Sequence, residues 1–261
     1  MKRYALIGEK LGHSLSVPIH QAICQRMGID ADYRLIEIPR DAFAPTVQQL
    51  IRELDGFNVT IPYKEEVMPL LEDISPEATA IGAVNTVVKG PGVCGHNTDI
   101  LGFTAMLRRY GIDPAGESCY VLGGGGTSKT ACAALERMGA KSVTVVSRRP
   151  RDGQIDYQQL NREFSGILVN TTPAGMLYQK DTCPIAGEDL PGILARARGV
   201  ADVIYNPPET PLTAAAKAAG VPACTGLYML IAQAVAAQEL WQGRPMPDTL
   251  TDTLMKELKL L

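Results

Sequence analysis

A run of four glycines, Gly123–Gly126, is the feature that most constrains the fold of this chain. The apolar segment 118–122 before it is strand-like, and the segment 128–138 after it is helix-like. Gly123 and Gly125 fit the first two glycines of a G-x-G-x-x-G/A pattern, which allow a tight turn and let the backbone approach a pyrophosphate. Because strand, loop and helix occur together, the segment predicts a dinucleotide-binding unit rather than a purely structural loop. The predicted cofactor-binding residues here are Gly123, Gly124, Gly125, Gly126, Thr127 and Ser128.

The residues after the next predicted strand, 142–146, indicate which dinucleotide binds. An NAD site usually places an acidic residue about 20 positions past the glycines, where it accepts a hydrogen bond from the ribose. This chain instead has Ser147, Arg148 and Arg149 there, followed by Arg151. Guanidinium groups suit a 2′-phosphate, and no carboxylate stands there to repel it. The sequence therefore predicts NADP, with Arg148 as the preferred phosphate ligand and a solvated basic turn as the alternative.

Strand-like and helix-like runs alternate through most of the chain, which predicts an α/β fold with parallel sheets. Ser16 is expected to cap one helix, and the Ser75-Pro76-Glu77 triplet to begin another. The turn-rich stretch 111–116 separates two α/β series. The other predicted strands are 3–8, 33–38, 56–61, 167–169 and 200–205, and the other predicted helices are 16–27, 42–54, 63–71, 227–241 and 248–258.

Composition excludes several classes of protein. The 261 residues can form two domains, and a formal net charge of −3 argues against nucleic acid or an anionic membrane as a partner. No stretch approaches the roughly 18 apolar residues of a membrane span, and the apolar run near the start is too short for the hydrophobic region of a secretory signal. Six scattered cysteines without a C-x-x-C pair predict reduced thiols and a cytoplasmic location. Cys94 and His96 lack companions to complete a zinc site, so no metal is expected.

Polar clusters recur in the first half, at 14–16, 58–64, 82–87 and 95–99. Taken singly, each has a structural explanation, since serines cap helices, Asn and Asp form turns, and lysines are usually solvated. Taken in order, they resemble the shikimate dehydrogenase family, and the motifs NVTIPYK and NTD are specific to it. The resemblance spans nearly the whole chain and continues through 170–176, 202–207, 210–212, 226–230 and Gln233.

The resemblance implies a domain organisation and a reaction. Residues 1–102 and 232–261 would form an α/β substrate domain, and 103–231 an inserted Rossmann-like NADP domain, with the C-terminal helices returning to the first domain. The reaction would be the reversible, NADPH-dependent reduction of 3-dehydroshikimate to shikimate, with Lys64 and Asp99 as the catalytic pair. By the same resemblance, Ser14 and Ser16 would bind the substrate carboxylate, and the ring hydroxyls would be bound by Thr60, Asn85, Asp99 and Gln233. The residues near the nicotinamide would be Thr171, Tyr205, Gly226 and Met229. Tyr205 would also contact the substrate.

Some residues depart from the family pattern, and two alternatives stay open. Val17 precedes Pro18 where the family usually has proline directly, Gln21 replaces asparagine, and Lys129 replaces a common arginine. An enzyme acting on quinate or using NAD is the nearest alternative, although Ser16 and the arginines argue against it. A catalytically silent NADP-binding sensor is the other, and it would be favoured only by loss of the catalytic pair. The resemblance fits a monomer or a homodimer.

Overall fold

The computed structural model of the chain describes residues 1–12 and 14–258, so the last three residues of the predicted 232–261 segment lie outside it. The chain divides into two units. Among the described residues, one unit contains Met1–Leu101 together with 231–258, and the other contains Gly102–Leu230. The predicted α/β fold class is confirmed.

The first part of the chain alternates strands with helices. In chain order the elements are β1 (Lys2–Gly8), α1 (Ser16–Met27), β2 (Ala31–Glu37), α2 (Phe43–Glu53), β3 (Gly56–Val59), β4 (Asp73–Ile74), α3 (Pro76–Ile81), β5 (Thr86–Lys89), β6 (Val93–His96) and α4 (Asp99–Arg109). Short turns of 3-10 helix lie at Arg40–Ala42 and Met68–Leu70.

The remaining chain contains a second alternating series. Its elements are β7 (Ser118–Leu122), α5 (Gly126–Arg137), β8 (Ser142–Val146), α6 (Tyr157–Glu163), β9 (Gly166–Asn170), α7 (Leu190–Leu194), β10 (Ala197–Asp202), α8 (Pro211–Ala218), β11 (Ala223–Cys224), α9 (Leu227–Gln242) and α10 (Leu250–Glu257). A further 3-10 turn lies at Leu177–Gln179. The strand β7 and the strand β8 have the bounds that the sequence predicts.

The sheet of the first unit has the strand order β2-β1-β3-β5-β6-β4. The strand β1 pairs in parallel with both neighbours, as predicted, whereas β5 is antiparallel to β3 and to β6. The antiparallel pairing of β5 with β6 follows from the short turn at residues 90–92, because a parallel pairing would need a crossover of a dozen or more residues. The Gly90 N–H donates to the Gly92 carbonyl at 2.9 Å and closes this turn.

The sheet of the second unit has the order β11-β10-β9-β7-β8, and its strands all run parallel. The chain runs from β7 outward to β8 and then returns past β7 to β9. The loops that leave β7 and β9 therefore diverge at adjacent strand ends. In open α/β sheets such a switch point is where ligands bind.

An aromatic cluster lies on the first unit's sheet, where the helix α9 reaches it. Tyr4 stacks on Trp241 with ring centroids 4.3 Å apart, and His20 stacks on Tyr33 at 3.9 Å. The Trp241 indole donates to the Val87 carbonyl at 3.0 Å. A Cβ at Gly56 would lie 2.4 Å from the indole nitrogen, so this position of β3 needs a glycine.

Two local predictions are wrong and one is confirmed. Ser16 does not cap α1: it is the first helical residue, and the N-cap is Leu15, without a side-chain capping bond. The predicted helix 63–71 is a series of turns and one 3-10 turn, because Pro69 lacks an N–H and the Lys64 carbonyl accepts the Val84 N–H at 2.8 Å. Ser75 does cap α3, accepting the Ala78 N–H at 3.2 Å.

Candidate functional site

Lys64 and Asp99, 35 positions apart, meet in the first unit. Lys64 lies in the turn after β3, and Asp99 is the first residue of α4. The Lys64 ammonium donates a hydrogen bond to the Asp99 carboxylate in an ion pair, and the two side chains are only 13% and 10% exposed. A shielded amine held beside a carboxylate can donate a proton to a reacting oxygen or accept one from it.

Asn85 and Gln233 are joined by a third residue, Thr98, which precedes Asp99. The Asn85 Oδ1 accepts the Thr98 N–H at 2.7 Å, and its Nδ2 donates to the Thr98 hydroxyl oxygen at 3.0 Å. The Gln233 Oε1 lies 3.4 Å from the Asn85 Nδ2 and from the Thr98 hydroxyl. Thr98 was not among the predicted site residues, although its place between Asn97 and Asp99 was an available signal.

Two further buried polar side chains, Tyr33 and Asn58, form hydrogen bonds that lead to the backbone of Asn85. The Tyr33 hydroxyl donates to the Asn58 Oδ1 at 2.9 Å. The Asn58 Nδ2 in turn donates to the Asn85 carbonyl at 3.1 Å and to the Thr86 hydroxyl at 3.0 Å. Sequence reasoning assigned no role to Tyr33 or Asn58, because this contact crosses strands that are distant in the chain.

The two predicted anchor serines lie together where α1 begins. The Ser14 hydroxyl donates to the Ser16 hydroxyl oxygen at 3.1 Å and accepts the Ser16 N–H at 3.2 Å. Two hydroxyl groups beside a helix N-terminus suit an anion such as a carboxylate. Thr60 is half-buried in the turn that leads to Lys64, and its carbonyl accepts the Tyr63 N–H at 2.9 Å.

A cavity of about 1120 Å³ lies in the second unit at the switch point between β7 and β9. The Thr171 N–H and hydroxyl both donate to the Leu122 carbonyl, at 2.9 and 2.6 Å, which ties the two strand ends together. The predicted cofactor residues that line the cavity are Gly123, Gly124, Gly125, Ser147, Arg148, Arg149 and Thr171. Sequence reasoning missed other lining residues, which include Tyr157, Thr172, Ile185, Asp189 and Ile193.

The glycine loop leaves room for a ligand at this cavity. A Cβ at Gly124 or Gly125 would meet nothing within 4 Å. Gly123 has a φ of +106°, and a Cβ there would lie 2.8 Å from the Thr171 hydroxyl, so this position needs glycine. The helix α5 begins at Gly126 without a side-chain cap, which leaves its first N–H groups available to a phosphate. Space, N–H donors and two arginines fit a phosphorylated dinucleotide.

The other predicted cofactor residues do not line this cavity. Gly126, Thr127 and Ser128 lie in the first turn of α5. Ser128 occupies the third small position of the G-x-G-x-x-G/A pattern and is buried, as close packing of the helix on the strand requires. Met229 is buried in the second unit. A Cβ at Gly226 would lie 2.0 Å from the Val203 carbonyl oxygen, so packing alone demands this glycine.

Tyr205 also belongs to the second unit. It follows β10 and is half-buried, and this burial raises the pKa of its hydroxyl. The side chain is therefore a neutral phenol near neutral pH. A neutral phenol can both donate and accept a hydrogen bond.

Within residues 1–12 and 14–258, no three or more His, Cys, Asp or Glu side chains converge as a metal site would require. No helix in the same part of the chain has both the length and the apolar character needed to cross a bilayer.

Comparison with known proteins gives one family model that matches part of the chain, and relatives and solved structures that match nearly all of it. The family model for the shikimate dehydrogenase substrate binding domain matches residues 6–87. A shikimate dehydrogenase (NADP(+)) from Clostridium perfringens is 38% identical, with 99% of each chain covered. The crystal structure of a chorismate mutase/shikimate 5-dehydrogenase fusion protein from Clostridium acetobutylicum matches with a TM-score of 0.93 and 36% identity, covering 99% of this chain and 97% of that one. A shikimate 5-dehydrogenase from Thermus thermophilus, in complex with NADP(H) and shikimate, has a TM-score of 0.84 and 30% identity, covering 98% and 99%.

Proposed function

The chain belongs to the shikimate dehydrogenase family, and we propose that it catalyses the reversible, NADPH-dependent reduction of 3-dehydroshikimate to shikimate. The observation that carries this proposal is the shielded Lys64–Asp99 ion pair, which lies in the same unit as the buried Asn85–Thr98–Gln233 cluster. Oxidoreduction at a ring hydroxyl needs a group that donates or accepts the proton, and other groups that hold the substrate ring in position.

The chemistry at Lys64 follows from its position beside Asp99. When bound, the nicotinamide cofactor supplies the hydride for reduction or takes it up in oxidation. In reduction, the Lys64 ammonium stabilises the developing alkoxide and donates a proton to it. In oxidation, the Lys64 amine accepts the hydroxyl proton. Asp99 holds the lysine Nζ and orients the reacting hydroxyl.

Substrate binding is assigned to polar side chains in two groups. Ser14 and Ser16, at the start of α1, would hold the substrate carboxylate with hydroxyl donors. Thr60, Asn85 and Gln233 would bind the ring hydroxyls. Their amides and hydroxyls can donate and accept, as a polyhydroxylated ring requires. For Tyr205 only the family resemblance supports a substrate contact, and the same holds for Gly226 and Met229 at the nicotinamide.

Arg148 is proposed to bind the 2′-phosphate, and this assignment gives the first prediction. We expect Arg148→Ala to raise KM for NADP about 10- to 100-fold, because charge-assisted hydrogen bonds contribute about 1.5–3 kcal/mol. KM for NAD, which lacks the phosphate, should hardly change. Steady-state kinetics with each cofactor measures the difference.

The matched control is Arg151→Ala, since Arg151 is exposed and outside the cavity lining. It should leave both KM values near those of the wild type. If Arg148→Ala raised KM for NAD as much as KM for NADP, the arginine would not be binding the 2′-phosphate. A larger effect from Arg149→Ala would transfer the role to Arg149.

Initial rates test the proposed function itself. Shikimate and quinate are each paired with NADP and with NAD at fixed pH, and nicotinamide absorbance is followed. We expect shikimate with NADP to give the highest kcat/KM. A higher value with quinate or NAD would support the alternative within the family. Measurable NADP binding without turnover of either substrate would support a sensor.

We also infer a cytoplasmic location. The six cysteines all lie in the described part of the chain, and none is in a disulfide. Burial raises the pKa of the Cys119 and Cys224 thiols to about 12, which keeps them protonated and unreactive. Free, inert thiols fit a reducing compartment.

A further inference from the structure

We propose that Asp202 is a positioning residue for the cofactor-binding turn at 171–174, through a hydrogen-bond chain that runs by way of Asn170. The inference rests on the proposed function only in taking NADP as the ligand of the cavity beside β7 and β9. Asp202 ends β10 and is fully buried, with no counter-charge among its hydrogen-bond partners. A buried carboxylate of this kind is costly unless donors surround it.

Neutral donors surround Asp202. The Asn170 Nδ2 lies 3.1 Å from both carboxylate oxygens. The Ile204 N–H donates to Oδ1 at 3.0 Å, and the Thr210 hydroxyl donates to Oδ2 at 2.9 Å. Burial raises the pKa of Asp202 to about 6, and these donors hold it below the value that burial alone would give. The donor set suits the ionised carboxylate.

The carboxylate fixes which way the Asn170 amide points. With Nδ2 directed at Asp202, the Asn170 Oδ1 faces the turn and accepts the Thr172 N–H at 3.0 Å and the Thr172 hydroxyl at 2.7 Å. The same Nδ2 also donates to the Ala174 carbonyl at 3.2 Å. The turn that begins at Thr171 is therefore shaped by one amide, and that amide is oriented by one carboxylate.

This turn forms part of the cavity wall. The residues from Thr171 to Ala174 line the cavity together with the glycine loop. Asp202 itself is not among the lining residues. It therefore acts on the cofactor through the shape of the turn, and not by contact.

Asp202→Asn makes a sharp test because it preserves the size of the side chain. Both carboxylate oxygens face the Asn170 Nδ2, so the new NH2 group opposes another NH2 group in either orientation. A flip of the Asn170 amide would relieve this conflict but would leave the Thr172 N–H without its acceptor. We expect KM for NADP to rise about 10-fold, the change that one lost hydrogen bond produces. KM for shikimate and kcat at saturating cofactor should stay close to wild type.

Two further variants separate positioning from general instability. The exchange variant, Asn170→Asp with Asp202→Asn, again pairs one acceptor with one donor, and it should recover part of the lost NADP affinity. Phe164→Leu removes volume from the buried core of the same unit, outside the cavity lining. It should lower the temperature of unfolding without changing KM for NADP.

The experiment measures NADP binding by calorimetry alongside steady-state kinetics. Weaker NADP binding by Asp202→Asn, with partial recovery in the exchange variant, is the expected result. Equal NADP affinity in wild type and Asp202→Asn would overturn this inference alone. Absence of NADP binding by the wild type would overturn the proposed function as well. Should Asp202→Asn fail to fold, Thr172→Val, which removes one hydroxyl of the same chain, must weaken NADP binding or the inference is wrong.

Discussion

Replacing Lys64 with alanine is expected to lower kcat by about 10²- to 10⁴-fold, the usual contribution of a general acid or base. KM for shikimate should change little, because the proposed carboxylate anchor and hydroxyl ligands are other residues. Asp99→Ala is expected to damage both kcat and KM, since Asp99 would hold the lysine and also contact the substrate. Steady-state kinetics with shikimate and NADP in both variants tests the division of roles.

The matched control for this prediction is Lys141→Ala, which removes an exposed lysine of the other unit. Its kinetics should match those of the wild type. A Lys64→Ala enzyme that kept most of its kcat would remove the lysine from the chemistry. Unchanged kinetics in Asp99→Ala would likewise remove the carboxylate from the pair.

A second large effect is expected from His20, on stability rather than on turnover. The imidazole is fully buried, and the Gln238 amide nitrogen lies 3.1 Å from its Nδ1. An amide NH2 group can only donate, so Nδ1 is the acceptor and the ring is neutral. Burial lowers the pKa of His20 to about 3, well below the value of about 6.5 for an exposed histidine.

This difference links protonation to unfolding. Between pH 6.5 and about 3 the unfolded chain binds a proton at this position and the folded chain does not, so stability falls as the pH is lowered. At pH 5, about 1.5 pH units below the unfolded pKa, His20 should reduce the free energy of unfolding by about 2 kcal/mol. The effect is absent above pH 7 and is complete near pH 3.

The His20→Asn variant isolates this effect, because asparagine can accept the Gln238 bond but does not titrate. Urea unfolding at pH 7 and pH 5 gives the loss of stability for each protein. The wild type should lose about 2 kcal/mol more than the variant between these values. His96→Asn is measured in the same way for comparison with His20→Asn. Burial lowers the pKa of His96 too, but its side chain is only half-buried. An equal pH dependence in wild type and His20→Asn would contradict the linkage.

The fold was most predictable where local pattern and chain packing agree. The apolar strand β7, the glycine loop and the helix α5 lie within twenty residues, and the sequence predicts all three. The strands β5 and β6 were not predicted because each has only four residues and includes a polar one, the buried Thr86 in β5 and the half-buried His96 in β6. These residues are paired across the sheet, and a linear pattern indicates a loop for such side chains.

The candidate site shows the same limit. Lys64, Asp99, Asn85 and Gln233 came from motifs of a known family, while composition and spacing alone gave only the glycine loop and the arginines. Thr98 was missed because its partners, Asn85 and Gln233, are 13 and 135 positions away in the chain. Contacts between strands and helices of this kind depend on register, which the sequence does not state.

The interrupted first unit has a consequence for folding during synthesis. Tyr4 and His20 find their ring and amide partners in Trp241 and Gln238, which leave the ribosome only after the whole of Gly102–Leu230. At 5–20 residues per second this delay is on the order of ten seconds, longer than most small domains need to fold. All six strands of the first unit precede the inserted unit, so its sheet can form early, but its aromatic face stays uncovered until Trp241 has been synthesised. During that interval the exposed face is a binding surface for chaperones.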